Sequence, residues 1–226
     1  MKNVIIGLIG PKTCGKSTVT NILEEFYNIK ESALADKLKN VSAEVFSLKR
    51  EQLDRQDMKE VQFEEPKVLT MDRIAAVLKA FDTDIDSFRD PVLMQTFREY
   101  YKPIEGKLLR SPREVAQIIG TEILRFVDED IHCKSVRVSP DLFTVVSDVR
   151  FSNEYTFFSN RQNTTFIPIY IQRDVAEARV TPESHISERE FMDFRDKCFK
   201  VDNNGTLQQT ELQVKSIVDK VLHGSK

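Results

Sequence analysis

The apolar run Val4-Ile-Ile-Gly-Leu-Ile9, followed at once by Gly10-Pro-Lys-Thr-Cys-Gly-Lys-Ser17, constrains this chain more than any other feature. The first six residues are apolar without alternation, as a strand buried on both faces of a parallel sheet is. The next eight fit G-x-x-x-x-G-K-[ST] at every fixed position. Over 17–26, Val19, Ile22, Leu23 and Phe26 then recur at helical spacing. A glycine loop between strand and helix lets successive backbone N–H groups converge, and the helix N-terminus adds partial positive charge at the same point. Such a cradle fits the phosphates of a nucleoside triphosphate. Gly10, Lys12, Thr13, Cys14, Gly15, Lys16, Ser17 and Thr18 are its candidate contacts. Lys16 is expected at the β- and γ-phosphates, and the Ser17 hydroxyl on Mg²⁺. Cys14 reads as a tolerated spacer; a helix N-terminus lowers a thiol's pKa, so modest sensitivity to alkylation, protected by ATP, is expected.

Further strand signals lie at 142–146, 166–171 and 198–201, each followed by a segment of helical character. Alternating strands and helices imply an α/β fold with a mostly parallel sheet. Pro168 lacks a ladder donor and reads as a strand start or an edge position. Residues 36–110 differ: they are mostly polar, with helical spacing at 38–48, 71–81 and 91–101 and no strand signal. This block reads as a helical insertion, with 56–67 as an exposed loop. Residues 206–222 form an amphipathic helix whose apolar face is expected from Leu207, Leu212, Ile217, Val218 and Val221. Thr206 and Gln209 make its capping box.

Charge and cysteine usage exclude several classes. With 33 Lys and Arg against 36 Asp and Glu, the net charge of −3 argues against stable binding to nucleic acid. No apolar run approaches the roughly 18 residues that cross a membrane, and the N-terminal one is too short for a signal sequence. Three scattered cysteines and three histidines indicate neither a disulfide framework nor a metal cage. The expectation is a cytoplasmic protein.

Asp148 closes the second strand signal and is a candidate partner of Ser17 in holding Mg²⁺. Val149, not glutamate, follows it, which speaks against water activation, and no guanine-reading N-K-x-D tetrapeptide exists. Arg150 then lies at a strand's C-terminal end, where α/β sheets bind ligands, and suits an acceptor phosphate. Ser111-Pro-Arg-Glu114 reads as a helix start. Val115, Ile119, Ile123 and Val127 form the expected buried stripe of that helix. Arg113, Gln117, Thr121 and Arg125 form a polar row on the opposite face, with Gly120 beside it permitting close approach. Arginine forks match phosphate oxygens. Arg173, Arg179 and Arg189 lie in a polar stretch running to 196, which reads as a lid over the phosphate loop, with His185-Ile-Ser-Glu188 in its middle.

GPKTCGKST, ALADKLK at 33–39, SPREVAQIIGTEILR at 111–125, VVSDVRFSNE at 145–154 and HISE at 185–188 together resemble the deoxynucleoside monophosphate kinases of tailed bacteriophages. The resemblance spans nearly the whole chain. It implies a five-stranded parallel sheet of the nucleoside monophosphate kinase type within a single domain. The core is expected at about 1–35, 111–172 and 197–226, an acceptor-binding insertion at 36–110, and a lid at 173–196. It further implies transfer of the γ-phosphoryl of ATP, with Mg²⁺, to a deoxynucleoside monophosphate, in the host cytoplasm and in a homodimer. Lys16, Arg150, Arg173 and Arg179 become the candidate catalytic residues. Asp36, Arg113, Gln117, Thr121, Arg125, Asp148, Arg150 and Glu188 become the acceptor contacts, and Asn204, with Asn203, a border for adenine. The chain departs from the family at Ile131-His132-Cys133, where a tryptophan is usual. Two alternatives stand beside this reading: a P-loop kinase for dephospho-coenzyme A or phosphomevalonate, and a nucleotide switch without transfer activity.

Overall fold

A computed structural model describes residues 3–83, 91–184 and 186–224; His185, within the HISE motif, lies outside them. In chain order the elements are β1 (Asn3–Ile9), α1 (Lys16–Phe26), β2 (Ile29–Ser32), α2 (Ala35–Phe46), α3 (Arg50–Asp54), β3 (Lys67–Val68), α4 (Met71–Ala80), α5 (Pro91–Tyr101) and β4 (Leu108–Leu109). There follow α6 (Pro112–Gln117), a π-helical stretch at Ile118–Leu124, α7 (Arg125–Val127), α8 (Ile131–Lys134), β5 (Phe143–Val149), α9 (Ser152–Ser159), β6 (Thr164–Gln172), α10 (Asp174–Glu177), β7 (Phe199–Asp202) and α11 (Leu207–His223). The chain divides into two compact units, residues 1–34 with 133–226, and residues 35–132.

The first unit is an α/β layer structure on a five-stranded sheet of order β2-β5-β1-β6-β7, every neighbouring pair parallel. Strand alternation sends Val4, Ile6 and Leu8 to one face, against Val19 and Leu23 of α1 and Val214 and Val218 of α11. Ile5 and Ile9 go to the other, with Phe158 of α9, Phe191 and Phe194. The uninterrupted apolar run at 4–9 is therefore the mark of a strand covered on both faces. Strand order reverses at β1, so its C-terminal end is the switch point of the sheet, where ligands of α/β folds bind.

Three details depart from the sequence reading. The strand Ile29–Ser32 gave no apolar signal because it is a sheet edge whose central Lys30 and Glu31 are exposed. Pro168 is neither a strand start nor on an edge strand: it pairs with Gly7 in the middle of β6. It is tolerated because β7 joins β6 only from Ile169 onward, leaving one side of the strand unpaired at the proline. The capping box of Thr206 and Gln209 forms as expected, but the inward stripe of α11 is Thr210, Val214 and Val218, while Leu207 and Leu212 are exposed.

The second unit is helical, around a core that includes Phe46, Leu69, Ile74, Leu78, Tyr101 and Ile119. Residues 111–132, expected in the α/β core, pack within this unit instead. The block expected to lack strands carries one two-residue antiparallel ladder, β3 with β4. Among the described residues, no helix is long and apolar enough to cross a membrane.

Candidate functional site

After β1 the chain passes through three left-handed residues, Gly10 (φ 141°), Thr13 (φ 67°) and Gly15 (φ 108°), before α1 begins. A Cβ on Gly15 would lie 2.1 Å from Asn203 Nδ2, and one on Gly10 2.8 Å from the Ile171 carbonyl oxygen. Both dihedral angles favour glycine; at Gly10 a backbone carbonyl also takes the room of a Cβ, and at Gly15 a Cβ would have to displace the Asn203 amide. Lys16 Nζ donates to the carbonyls of Gly10 (2.7 Å) and Pro11 (2.9 Å), so the ammonium is held inside the curl of its own loop. Burial pushes the Lys16 pKa below the ordinary lysine value, as does the charge of Arg150, while Cys14, Glu188 and Asp148 oppose the shift. No acidic residue occupies the first turn of α1, leaving the positive end of its dipole uncompensated by its own helix. Lys12, Thr13 and Ser17 are exposed and Thr18 half-buried.

Cys14 departs from expectation. It is completely buried and packs into the core beneath the loop, and desolvation raises its thiol pKa despite Lys16 nearby. A helix N-terminus lowers a thiol's pKa only where the field is not outweighed by removal from water, and here burial wins.

Ile9 pairs with Val149, which brings the end of β5 beside the start of the loop. Asp148 is half-buried, and its Oδ1 accepts from the Leu34 N–H at 2.7 Å. Arg150 Nη1 donates to Glu188 Oε1 at 2.9 Å. The turn carrying Arg150 is fixed by Glu154, whose Oε2 accepts from the backbone N–H groups of Arg150 (2.7 Å) and Phe151 (3.1 Å). Glu154 is 2% exposed. It stands in the quoted motif at 145–154 but received no role there; its signal is the N3 position of the helix after the strand.

Over the loop, Arg179 Nη1 donates to Thr13 Oγ1 at 3.4 Å, so this arginine of the expected lid does meet the phosphate loop. Arg173 and Arg189 are exposed. The second half of the lid segment is not a surface flap: Phe191 and Phe194 are buried, with Phe191 stacked on Tyr170 at 5.8 Å between ring centroids. Glu177 accepts from the Tyr170 hydroxyl and pairs with Arg195 at 3.5 Å. Asn204 uses its amide to join Asp202 and Asp174. Asn203 faces the loop, donating from Nδ2 to the Cys14 carbonyl at 2.8 Å.

The helical unit carries the other candidates. Ser111 caps α6 by accepting from the Glu114 N–H, with Pro112 at the first position, as the sequence implies. Beyond Gln117 the helix widens to π geometry. Val115, Ile119 and Ile123 are buried as expected, whereas Val127 is 40% exposed and Ile118 and Leu124 are buried in addition. The π turn holds more residues than an α turn, so an α-helical count drifts out of register across it. Gln117 and Thr121 are exposed, and Arg113 and Arg125 half-buried. Arg113 is ion-paired with Glu60, so the row is less cationic than its sequence. Gly120 serves close packing rather than ligand approach, since a Cβ there would lie 3.1 Å from Leu38 Cδ2. Asp36 accepts from Arg50 Nη2 at 2.7 Å, and Arg50 also binds Asp54 at 2.8 Å. His132, where the family has tryptophan, is buried, edge-on to Phe81 and 3.4 Å from the Gly120 carbonyl. A cleft of about 550 Å³ beside Gln117 is lined by Lys107, Arg110, Glu114 and Glu122 among others.

No protein-family model matches the chain. It is 27% identical over 217 residues, 96% of each chain, to a protein of Acanthamoeba polyphaga mimivirus named "Putative deoxynucleotide monophosphate kinase". Among solved structures, the dephospho-CoA kinase from Campylobacter jejuni matches over 96% of both chains with a TM-score of 0.36 and 11% identity. The fold assignment rests on the parallel sheet and its loop. The chain is thus a distant relative, over 96% of each sequence, of a protein named as a kinase.

Proposed function

We propose that this chain transfers the γ-phosphoryl group of ATP to a deoxynucleoside monophosphate. The observation that carries the reading is the loop at 10–17, with its glycines in the left-handed region, its lysine curled inside, and Asp148, Arg150 and Glu188 acting on that lysine. The acceptor class is supported by the mimivirus relative's name and by the motif resemblance.

In this reading an acceptor phosphate oxygen attacks the γ-phosphorus of ATP as the bond to the β–γ bridging oxygen breaks and ADP leaves. The nucleophile is competent without a covalent enzyme intermediate, so positioning and charge neutralisation carry the catalysis. Lys16 exchanges its carbonyl partners for phosphate oxygens and follows the transferring group. Arg179, already at Thr13, closes over the phosphates with Arg173. Arg150 exchanges Glu188 for an acceptor phosphate. Ser17 and Asp148 offer oxygen donors of the kind Mg²⁺ takes and would hold that ion. When bound, that ion neutralises charge on the β- and γ-oxygens. Arg113, Gln117, Thr121, Arg125 and Asp36 are the acceptor candidates on the helical unit, and Asn204 the candidate at the adenine. A soluble cytoplasmic enzyme and a homodimer belong to the same proposal.

The test is a coupled ADP-release assay with ATP and Mg²⁺ against dAMP, dCMP, dGMP, dTMP, their ribose counterparts and dephospho-coenzyme A. Turnover with a deoxynucleotide, lost in Lys16→Ala, supports the proposal. Turnover with dephospho-coenzyme A alone, or ATP consumption independent of any acceptor, overturns it.

A further inference from the structure

We infer that Asn203 is a positioning residue that sets the phosphate loop's backbone, and that Thr210 sets the orientation of Asn203. The inference rests on reading 10–17 as a nucleotide phosphate loop. It replaces the expectation that Asn203 borders adenine. Asn203 follows the end of β7, and its own N–H donates to the Gln172 carbonyl at 2.9 Å, which anchors it at the C-terminal edge of the sheet. Its side chain spans two elements distant in sequence. Nδ2 donates to the Cys14 carbonyl at 2.8 Å, and Oδ1 accepts from Thr210 Oγ1 at 2.9 Å. Thr210 is completely buried on the inward stripe of α11.

The consequence follows from peptide geometry. The Cys14–Gly15 peptide is planar and trans, so its C=O and N–H point in opposite directions. Tying the Cys14 carbonyl to Asn203 turns the Gly15 N–H away from Asn203. That N–H belongs to the set of loop donors that cradles phosphate. A Cβ at Gly15, already strained there by a φ of 108°, would lie 2.1 Å from Nδ2 and would displace the amide from the Cys14 carbonyl. The Cys14 carbonyl can only accept, so Nδ2 must face it, and Thr210 fixes the rotation of the amide by holding Oδ1 with a hydroxyl that also lies 3.3 Å from the Thr206 carbonyl. Reversing the amide would set two oxygens against each other.

The experiment titrates the full chain, and its Thr210→Val, Thr210→Ser and Asn203→Asp variants, with ADP and separately with inorganic tripolyphosphate, alongside thermal melting. Thr210→Val is expected to weaken both ligands by the same factor, about tenfold for one lost orienting hydrogen bond, with Thr210→Ser within about twofold of the parent. Asn203→Asp, which sets a carboxylate against the carbonyl, should lose at least as much. If ADP binding falls while tripolyphosphate binding is unchanged, Asn203 contacts the nucleoside and the inference fails. If Thr210→Val lowers the melting temperature and leaves both affinities unchanged, the contact is merely structural and the inference also fails. If the parent chain binds neither ligand, both the inference and the proposed function fall. If the expected shifts appear in a chain that phosphorylates no acceptor, the brace stands and the kinase reading alone is lost.

Discussion

The phosphate loop and the helical segment at 111–127 each carry a recognisable motif, yet they convert sequence into geometry differently. At the loop the backbone constraints are local, with positive φ at Gly10 and Gly15 and Lys16 bonded to carbonyls five and six residues away, while Asn203 and the Ile171 carbonyl sit where a Cβ would. At 111–127 only the start is local, with Ser111, Pro112 and Glu114 fixing the first turn. After that the helix changes pitch, and the identity of its buried face depends on the wider turn between Ile118 and Leu124. A motif whose own backbone satisfies its geometry is legible from residue types; a periodic pattern is legible only while the period holds.

The largest effect that would break this contrast belongs to the loop. Lys16→Ala should lower phosphoryl transfer by about 10³-fold or more in the ADP-release assay, since preorganised charge at the transferring group is the main resource of such a site. Retention of more than a tenth of the activity would mean that the loop's geometry is not being used for transfer. Next comes the helix. Ile119→Ala should cost about 2–5 kcal/mol in denaturant unfolding, while Val127→Ala, on an exposed side chain, should stay within about 0.5 kcal/mol. Equal costs would restore the α-helical count and remove the register shift.

Arg125→Ala probes the polar row. An approximately tenfold rise in acceptor KM with the KM for ATP unchanged is expected from loss of one arginine–phosphate contact. A rise in the KM for ATP instead would move Arg125 out of the acceptor set. The pH dependence sharpens the loop's side. Lys16 acts in its protonated form, and burial lowers its pKa, so kcat/KM should fall on the alkaline limb at a pH below the ordinary lysine value of 10.5. Lys16→Arg should abolish that limb within the accessible range. The smallest expected signal is a thiol titre near zero in the folded chain at pH 8. Cys14 and Cys133 are fully buried, and burial pushes the Cys198 thiol up to about 12. Denaturation should release all three, and rapid labelling of Cys14 before unfolding would overturn its placement beneath the loop.

Much of the α/β unit was legible because β1, β5 and β6 are covered on both faces and announce themselves as apolar runs. Ile29–Ser32 was not, since an edge strand is held by its backbone ladder and its side chains are free to be polar. The capping of α6 and α11 was legible because the residues that make it are three apart in sequence. Glu154 was legible as a motif member only; its buried carboxylate takes its meaning from the turn after β5 that carries Arg150.

The sequence by itself determined the strand–loop–helix start, its glycines and its lysine, because the backbone turn and the Lys16 contacts lie within eight neighbouring residues. Tertiary structure decided the rest. Packing beneath the loop made Cys14 a core residue, because removal from water outweighs the field of a helix terminus. Packing against Leu38 claimed Gly120. The meeting of β7, α11 and the loop joined Asn203 to Cys14 and Thr210, an alignment that no spacing along the chain encodes.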